Sequence, residues 1–565
     1  MYRHVVRAAS DKRGHALIMF RLLRFDTPKF LPLPGGRRAL MLVGAMALMR
    51  PVCMAQDPAA ILEDSIAKVV EQAEPSVVSI ARVKPAPEDR NETKPNDRMP
   101  NDRMKVRHRA FPPRREEWPR DTRLPPSELD ILPNEFGAGC LIGLPKNPNR
   151  FVLTNLHVVR GGPIYPNFET EDDTELRIRF GDRRSCRAAI IAADPRSDLA
   201  VLRLDWEKAG IKQTDFPLLN WETAAPPRKG QFVILLGNPY AIARDGSASV
   251  SWGLIGNLTR QPIPINPNPP QDQEEAASNS MLYRLGAVMQ LDARLNLGTS
   301  GGPVLNLKGE LIGISTSLAA IEGYDQSVGF ALPIDSLTRR IVQSLLAGHE
   351  VEYGMLGIYP GEMRAEDFLR LNTGLPQRSA AKVLSVNPGS PAQIARILQD
   401  DIVVRVEGEP VRCVADLMRM VGLHPPESEI DVTLWRTTQR LETVRIRLGK
   451  WPVRDDEGII ETNPRYASWR GLAVDYATAR SRFGENFATS DTRKVLVTKV
   501  LENSPAHAAL LQPGNFITHV NNVAVQSPAE FHAEVKAANG TVALKLEEPP
   551  DARGGRGGRV VHVRE

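Results

Sequence analysis

A serine stands between glycines in residues 297–304, whose sequence is Leu-Gly-Thr-Ser-Gly-Gly-Pro-Val. Gly298 and Gly301 let the backbone bend without Cβ clashes, so this turn can aim the Ser300 hydroxyl outward and point several N–H groups into one concavity. A nucleophile beside converging N–H donors is the arrangement that acyl transfer needs. Clusters of Gly and Ser are also common in plain tight turns. The stretch alone leaves both interpretations open.

A serine nucleophile needs a base, and histidine is the usual choice because its ordinary pKa lies near neutrality. His157 is the single histidine between residues 109 and 348, and it follows an apolar run that predicts a strand. A histidine in such a position can also be a plain core residue. Its presence as the one histidine of the region that holds Ser300 favours the catalytic interpretation.

The base needs a carboxylate to orient its second ring nitrogen. Asp198 stands at the start of the apolar run 199–204, where it could be buried and fixed. A turn cap is an equally good interpretation of Asp198 by itself. Asp194 is more simply a turn residue before proline. The order His157, Asp198, Ser300 is therefore a candidate triad that still needs support from its surroundings.

Short strands separated by turns are the dominant pattern between residues 137 and 340, and strands at such spacing predict β-barrels or sandwiches. Residues 58–74 predict a helix, residues 76–83 a strand, and residues 335–346 a closing helix. Residues 84–133 are rich in Pro and Arg and poor in apolar residues, which predicts a flexible charged insertion. The expected fold class is mostly β.

The positive charge of the chain is concentrated in its first 55 residues. The 565 residues carry a formal net charge of +5; residues 1–55 hold ten Lys/Arg against two Asp/Glu, or +8, so the remainder carries −3. A nearly neutral body argues against nucleic-acid binding. Arg37-Arg38, the apolar run 39–49 and the small residues that end at Ala55 are typical of a secretory signal cleaved there, with an uncleaved membrane anchor as the alternative. We therefore expect a secreted or periplasmic protein.

The cysteines predict neither a disulfide framework nor a metal site. Three remain after cleavage at Ala55, namely Cys140, Cys186 and Cys413, and they are scattered without metal-like spacing. Cys140 and Cys186 lie in strand-like apolar contexts. We expect both to be small buried hydrophobic residues.

The last two hundred residues contain a diverged repeat. Each copy has a short Gly-containing entry, a strand that ends in Ser-Pro-Ala, a short helix, and a strand with a turn. The copies span residues 353–411 and 469–525. Two homologous small domains follow from this repeat, and the Gly/Arg-rich stretch after them predicts a disordered tail over residues 551–565.

The candidate triad and the repeats together resemble the chymotrypsin-fold serine proteases, and more narrowly the HtrA/Deg family of extracytoplasmic proteases with C-terminal PDZ domains. The repeats are similar to PDZ domains over about 350–550. Within about 60–345 the segments that match family motifs lie in order at residues 137–142, 153–159, 194–199, 236–240, 290–293, 298–303 and 328–333. The resemblance implies a chymotrypsin-like double β-barrel followed by two PDZ-like α+β domains. The expected segments are a leader (1–55), a trypsin-like serine protease domain (56–348), a first PDZ domain (349–450), a second PDZ domain (465–550) and the tail.

The resemblance also implies a role for each candidate. Ser300 attacks the peptide carbonyl, His157 takes the proton and later gives one to the leaving amine, and Asp198 holds the ring and stabilises its charged form. The N–H groups of Gly298 and Ser300, together with Thr299, are expected to form the oxyanion hole. No metal or organic cofactor is required.

Substrate contacts are expected from two further segments. Residues Ser327, Val328 and Gly329 would present an edge strand to the substrate backbone. Arg294 occupies a position where specificity is often set in this fold. If Arg294 entered the pocket, acidic side chains would be preferred; if it points outward, which is the favoured alternative, the family's preference for small aliphatic residues stands. The family usually has Asn where this chain has Thr299, and often a basic residue at Leu297.

The PDZ-like repeats are expected to bind peptides. In PDZ domains the loop before the first strand offers N–H groups to a peptide C-terminus, and the groove adds the peptide as a strand. Both repeats diverge from the usual Gly-Leu-Gly-Phe pattern, so rigid spacers or oligomer contacts are the alternative. The corresponding positions are Met355, Leu356, Gly357 and Ile358 in the first repeat, and Gly471, Leu472, Ala473 and Val474 in the second.

The expected function is a serine endopeptidase that cleaves unfolded or misfolded extracytoplasmic proteins in quality control and the stress response. Expected partners are such substrates and peptide C-termini; the family implies a homotrimer or a multiple of it. No nucleic acid is expected as a partner, and membrane association only if the leader is uncleaved. Two alternatives stay open: a non-catalytic holdase on the protease fold, and a regulatory protease with one dedicated client.

Overall fold

The computed structural model describes most of the chain after the leader. The expected leader, the charged insertion 84–133, Leu297 and Ser327 lie outside the described residues. Residues Ala59–Glu565 form one compact unit. The described residues are 57–83, 135–144, 147–160, 175–238, 246–260, 288–296, 298–316, 328–363, 366–368, 375, 377–436, 440–452, 459–483, 493–547 and 558–565.

The first barrel is a closed ring of strands in the order β5-β4-β1-β2-β3-β6, closed by pairing of β5 with β6. Burial alternates along β4, where Leu176, Ile178 and Phe180 point into the core while the residues between them are partly exposed, as the two-residue period of a strand requires. The strands are β1 (Val77–Val83), β2 (Glu135–Ile142), β3 (Phe151–Asn155), β4 (Glu175–Phe180), β5 (Ser185–Asp194) and β6 (Leu199–Leu204).

The second barrel is also closed, in the order β10-β11-β12-β9-β8-β7. Apolar side chains from several of its strands, among them Val233, Ile255 and Val304, fill its interior. The two rings confirm the expected chymotrypsin-like double barrel. The strands are β7 (Phe232–Gly237), β8 (Ser249–Arg260), β9 (Val288–Leu291), β10 (Pro303–Leu305), β11 (Leu311–Thr316) and β12 (Gly329–Pro333).

Among the described residues, three α-helices accompany the barrels. Helix α1 (Pro58–Ala73) confirms the helix predicted from residues 58–74, and the five-residue helix α2 (Leu156–Arg160) directly follows β3. Helix α3 (Ser336–Leu346) confirms the closing helix; Asp335 caps it by accepting a hydrogen bond from the Thr338 N–H at 2.9 Å. Within the described part of the chain, no helix is both long and apolar enough to cross a bilayer.

The first C-terminal domain is a sheet in the order β14-β15-β16-β18-β19, and β14 is its edge strand. Strand β17 pairs with β16, and the short β13 and β20 pair with each other beside it. Its elements are β13 (Gly354–Met355), β14 (Ile358–Glu362), β15 (Ala381–Val386), α4 (Pro391–Ile394), β16 (Ile402–Val406), β17 (Glu409–Pro410), α5 (Val414–Leu423), β18 (Glu429–Trp435), β19 (Leu441–Arg447) and β20 (Gly449–Lys450).

The second C-terminal domain has the same sheet order, β22-β23-β24-β26-β27, with β22 at the edge and β25 paired with β24. The shared order confirms the repeat. The segment between the domains contributes a two-residue strand to the outside of the first barrel, where it pairs with β5. The elements are that strand, β21 (Ile460–Glu461), then β22 (Leu472–Tyr476), β23 (Val495–Val500), α6 (Pro505–Ala508), β24 (Phe516–Val520), β25 (Val523–Ala524), α7 (Pro528–Ala537), β26 (Val542–Glu547) and β27 (Gly558–Val563).

The prediction of a disordered tail over 551–565 is wrong for its second half. Residues 558–563 form β27, which pairs with β26, and Val561 and Val563 are buried in the core of the second repeat. The alternation of these two valines is too short to stand out beside the Gly/Arg-rich residues before it. The second repeat therefore extends beyond the expected boundary at 550.

Candidate active site

The carboxylate of Asp198 holds His157 at two points. Its Oδ2 lies 2.7 Å from the ring nitrogen Nδ1, and its Oδ1 accepts a hydrogen bond from the backbone N–H of His157 at 3.0 Å. Asp198 is fully buried and the His157 side chain is 10% exposed. The two contacts fix both the ring and the start of helix α2, which is the orienting role that the triad mechanism assigns to the acid.

The local chain path explains why these two residues meet. Strands β3 and β6 pair with Asn155 opposite Leu199, which brings the residue before β6 beside the residue after β3. Asp198 has a φ of +55°, a left-handed conformation that Asp tolerates better than most residues. Its carbonyl accepts hydrogen bonds from the Leu156 N–H at 2.9 Å and from the Asn155 side chain at 3.0 Å. Sequence reasoning missed Asn155, although it stands two residues before the histidine.

The loop that carries Ser300 is seated on β2 and β3. The Ala138 N–H donates to the Ser300 carbonyl at 2.8 Å, and the Gly301 N–H donates to the Ser315 carbonyl at 2.9 Å. Gly301 has a φ of +83°, and a Cβ there would lie 2.3 Å from the Thr154 hydroxyl oxygen. Only glycine fits this close approach, so Gly301 is required by packing as well as by backbone conformation.

Gly137 lies between the serine loop and helix α2. A Cβ at Gly137 would lie 2.5 Å from Val158 Cγ1 and 3.2 Å from the Ser300 carbonyl oxygen. The Ser300 carbonyl and Val158, the residue after His157, therefore both lie against Gly137 of β2. The second ring nitrogen of His157, Nε2, is buried and makes no hydrogen bond to any residue that the structure describes. Bonds between nucleophile and base often form only once substrate is bound, so this unbonded nitrogen is compatible with the base role that the sequence predicts.

The hydrogen bonds of the serine loop correct one expectation about the oxyanion hole. The Thr299 N–H donates to the Asn296 carbonyl at 3.1 Å, and the Thr299 hydroxyl donates to the same carbonyl at 2.7 Å. An N–H that is committed inside the loop cannot also bind an oxyanion, so Thr299 is not a donor to the hole. The Thr299 carbonyl accepts from the Ser315 hydroxyl at 2.6 Å, and Gly298 has a φ of +93°. These contacts fix the loop, and donation by the Gly298 and Ser300 N–H groups stays a prediction.

The substrate strand expected at Ser327, Val328 and Gly329 stays a prediction, since Ser327 lies outside the described residues. Gly329 belongs to β12, which pairs with β9 on one edge, with Gly329 opposite Leu291, and with β11 on the other. The register of β12 with β11 runs from Phe330 to Pro333 and so begins one residue after Gly329. Val328 directly precedes it and is half-buried. A Cβ at Gly329 would lie 2.6 Å from the Ala293 carbonyl oxygen and 3.0 Å from Leu295 Cγ, so this glycine forms a wall against the segment before Ser300.

Arg294 is exposed, whereas its neighbours Ala293 and Leu295 are buried. This alternation points the charged side chain outward and the apolar side chains inward. The geometry agrees with the alternative in which Arg294 stays outside the pocket.

The expected peptide-binding loops are built alike in the two repeats. Gly357 and Gly471 have φ values of +79° and +82°, and a Cβ at either would lie within 2.3 Å of the Cβ of a serine, Ser390 or Ser504. Each serine caps a short helix, α4 or α6. Of the other loop residues, Met355, Leu356 and Leu472 are buried and Ile358, Ala473 and Val474 are partly exposed.

Two family models match the chain. The model of the trypsin-like peptidase domain matches residues 137–314, and the model of the PDZ domain matches residues 355–448. The crystal structure of the serine endoprotease from Yersinia pestis is 22% identical, with a TM-score of 0.39, and the match covers 68% of this chain and 98% of that chain.

Curated relatives extend over most of the chain. A probable periplasmic serine endoprotease DegP-like of Rhizobium meliloti is 30% identical over 477 residues, which cover 82% of this chain and 84% of the relative. A protein of the same name in Pseudomonas fluorescens is 27% identical over 483 residues, which cover 85% and 90%. The periplasmic location in these names supports the extracytoplasmic location that the leader predicts. A relative of this identity, matched over barrels and repeats alike, shows that the chain belongs to the DegP-like family of serine endoproteases.

Proposed function

We propose that Ser300, His157 and Asp198 carry the endopeptidase reaction. The observation that supports this most is the double contact of the buried Asp198 carboxylate with the ring and backbone of His157, at 2.7 and 3.0 Å. Nδ1 is thereby held as the donor, and Nε2 is left as the proton acceptor toward Ser300.

The reaction proceeds in two halves. Ser300 Oγ attacks the carbonyl carbon of the scissile peptide while His157 Nε2 takes the hydroxyl proton. The oxyanion that forms is bound by the Gly298 and Ser300 N–H groups; loss of one such donor costs about 100- to 1000-fold in turnover. The C–N bond then breaks as His157 gives the proton to the leaving amine. Water attacks the acyl-enzyme with the same base and releases Ser300.

The proposed substrates are unfolded or misfolded extracytoplasmic proteins. The inward Ala293 and Leu295 and the wall at Gly329 support a small aliphatic side chain in the pocket. We propose PDZ capture of substrate chains or their C-termini, and a homotrimer or a multiple of it. The proposed domains are residues 56–348, 349–450 and 465–563.

The experiment that tests the proposal is digestion of casein by the full chain without its leader, compared with its Ser300→Ala variant. We expect cleavage by the wild type, none by the variant, and the same casein binding by both. A fluorophosphonate probe should label Ser300, and His157→Ala should abolish that labelling. If the wild type and Ser300→Ala behave alike, the protein is a holdase. If casein is cleaved only after addition of a C-terminal peptide, the protein is a regulatory protease.

A further inference from the structure

A second buried carboxylate lies four residues before Asp198. Asp194 is fully buried at the end of β5. One of its oxygens, Oδ1, lies 2.7 Å from Arg196 Nε. The other, Oδ2, accepts a hydrogen bond from the Tyr353 hydroxyl at 2.6 Å and one from the Ser197 N–H at 3.1 Å. Asp194 is thus the turn residue that its sequence predicts, and it is also the centre of a polar cluster.

One partner of Asp194, Tyr353, comes from the start of the first PDZ-like domain, shortly after helix α3. Tyr353 is fully buried, and the Arg196 guanidinium lies 4.7 Å above its ring. Arg196 also donates to the Val351 carbonyl and lies 3.6 Å from the Glu350 carboxylate. A segment outside both barrels therefore completes the surroundings of a turn inside the first barrel.

The charges of this cluster keep Arg196 protonated and Tyr353 neutral. Burial opposes the charged form of Arg196, but Asp194 and Glu350 outweigh it and raise the pKa of Arg196 above its ordinary range. Burial, together with the charge of Asp194, raises the pKa of Tyr353 well above 10. At neutral pH Tyr353 is consequently a neutral phenol whose hydroxyl donates to a carboxylate, and bonds of that kind are stronger than those between neutral groups.

The turn from Asp194 to Asp198 carries the triad acid in a strained conformation. Asp198 has a φ of +55°, and such conformations persist only where the surroundings determine them fully. Asn155 and Leu156 fix the carbonyl of Asp198 from one side. From the other side, the N–H of Ser197, its immediate neighbour, is fixed by the Asp194 carboxylate.

We propose that Tyr353 is a positioning residue for the reaction: through Asp194 it fixes the 194–198 turn, so that Asp198 reaches His157 only when the first residues of the first PDZ-like domain are docked. The inference rests on the proposed role of Asp198. Tyr353 touches neither substrate nor any reacting atom, and it acts through the conformation of Ser197 and Asp198.

The test is Tyr353→Phe in the full chain, which removes one hydroxyl and keeps the ring under Arg196. The kcat for an unfolded substrate should fall by about 10- to 100-fold with KM unchanged, the size of effect that small misplacements of catalytic groups produce. Fluorophosphonate labelling of Ser300 should slow by the same factor. Tyr476→Phe, which removes a second buried phenol away from this turn, should leave both rates within about twofold.

A cycle with Asp198→Asn separates positioning from a general loss of stability. In the Asp198→Asn background, Tyr353→Phe should change the labelling rate by less than about twofold, because the group that it positions is already lost. The proposal is overturned if Tyr353→Phe keeps the wild-type kcat. It is also overturned if Tyr353→Phe slows labelling by the same factor in the wild-type and the Asp198→Asn backgrounds. Failure of the triad assignment would look different, since the wild type itself would then show no labelling of Ser300.

Discussion

The two PDZ-like domains share one sheet order but are connected differently to the rest of the chain. The first is joined to the protease domain: Arg419 of α5 pairs with Asp335, the cap of α3, and Arg340 of α3 donates to the Gly422 carbonyl at 2.6 Å. The second contacts the first through Arg447, which lies 3.0 Å from Glu530 of α7. The repeated sequence therefore determines the fold of each domain, whereas the side chains that differ between the two copies determine which neighbouring domain each one contacts.

The edge strands of the two domains differ in the same way. Asp475 on β22 of the second domain lies 3.0 Å from Lys450, a residue of the first domain. Tyr466, near the start of the second domain, stacks on His532 of α7 with ring centroids 4.9 Å apart. In a PDZ fold the peptide enters between the edge strand and this helix. We therefore expect the first domain to capture peptides and the second to hold the first in place.

The largest effect is expected from breaking the contact between the domains at Lys450. This side chain is 3% exposed and lies within 4 Å of the carboxylates of Glu350, Glu352 and Asp475. Lys450→Met would leave these acids without their buried partner. Removing one partner of a buried ion pair lowers the free energy of unfolding by about 3–5 kcal/mol. Urea unfolding of the full chain measures it.

Lys382→Met is the matched control for Lys450→Met. Lys382 pairs with Asp400 on the surface of the first domain, and an exposed pair contributes about 1 kcal/mol or less. Equal losses of stability in the two variants would show that the Lys450 cluster does not hold the domains together.

A smaller effect is expected from the paired glycines of the peptide-binding loops. Gly357→Ala and Gly471→Ala each place a Cβ in the left-handed region and against a serine, which costs about 1–3 kcal/mol of local strain in either domain. Titration with a hydrophobic C-terminal peptide should show at least tenfold weaker binding for Gly357→Ala and about the wild-type affinity for Gly471→Ala. The reverse pattern would make the second domain the receptor.

Features of this structure could be predicted from sequence when the residues that form them are close together in the chain, and could not when they are far apart. The double barrel and the repeat follow from strand-length patterns and local motifs, and the candidate triad from three segments that each have a recognisable context. The bond from Tyr353 to Asp194 joins residues 159 positions apart, and nothing local to either residue marks the other. The cluster at Lys450 is equally non-local, because its charges become partners only after three segments have packed together.

The loop around Ser300 shows the same limit at short range. Its glycines are required by positive φ angles and close approaches, and sequence can suggest them. The direction of a single N–H cannot be read from sequence: the amide of Thr299 turns back to Asn296 because the loop closes on itself there. The surroundings of Gly329 depend in the same way on distant pairing, since its partner Leu291 lies on β9.

The smallest effect is expected at two histidines with lowered pKa values, His424 in the first domain and His532 in the second. Burial lowers the pKa of His424 below 6.5; the charge of Glu407 raises it and that of Arg340 lowers it further. Burial alone lowers the pKa of His532. A histidine whose folded-state pKa is lowered takes up its proton first in the unfolded chain. Stability is therefore unaffected well above pH 6.5 and falls as the pH drops from there toward the folded-state pKa.

The two histidines should respond differently to removal of Tyr466. Tyr466→Ala uncovers His532 and should return its pKa toward 6.5, while His424, in the other domain, keeps its lowered value. Proton NMR of histidine-labelled full chain, with His424→Gln and His532→Gln to assign the signals, follows both titrations. Thermal unfolding of Tyr466→Ala between pH 7.5 and 5 should show a smaller decrease than that of the wild type, because one of the two neutral histidines no longer resists protonation. A His532 titration that Tyr466→Ala does not change would mean that Tyr466 does not cover α7, and the second domain would then be as open to peptides as the first.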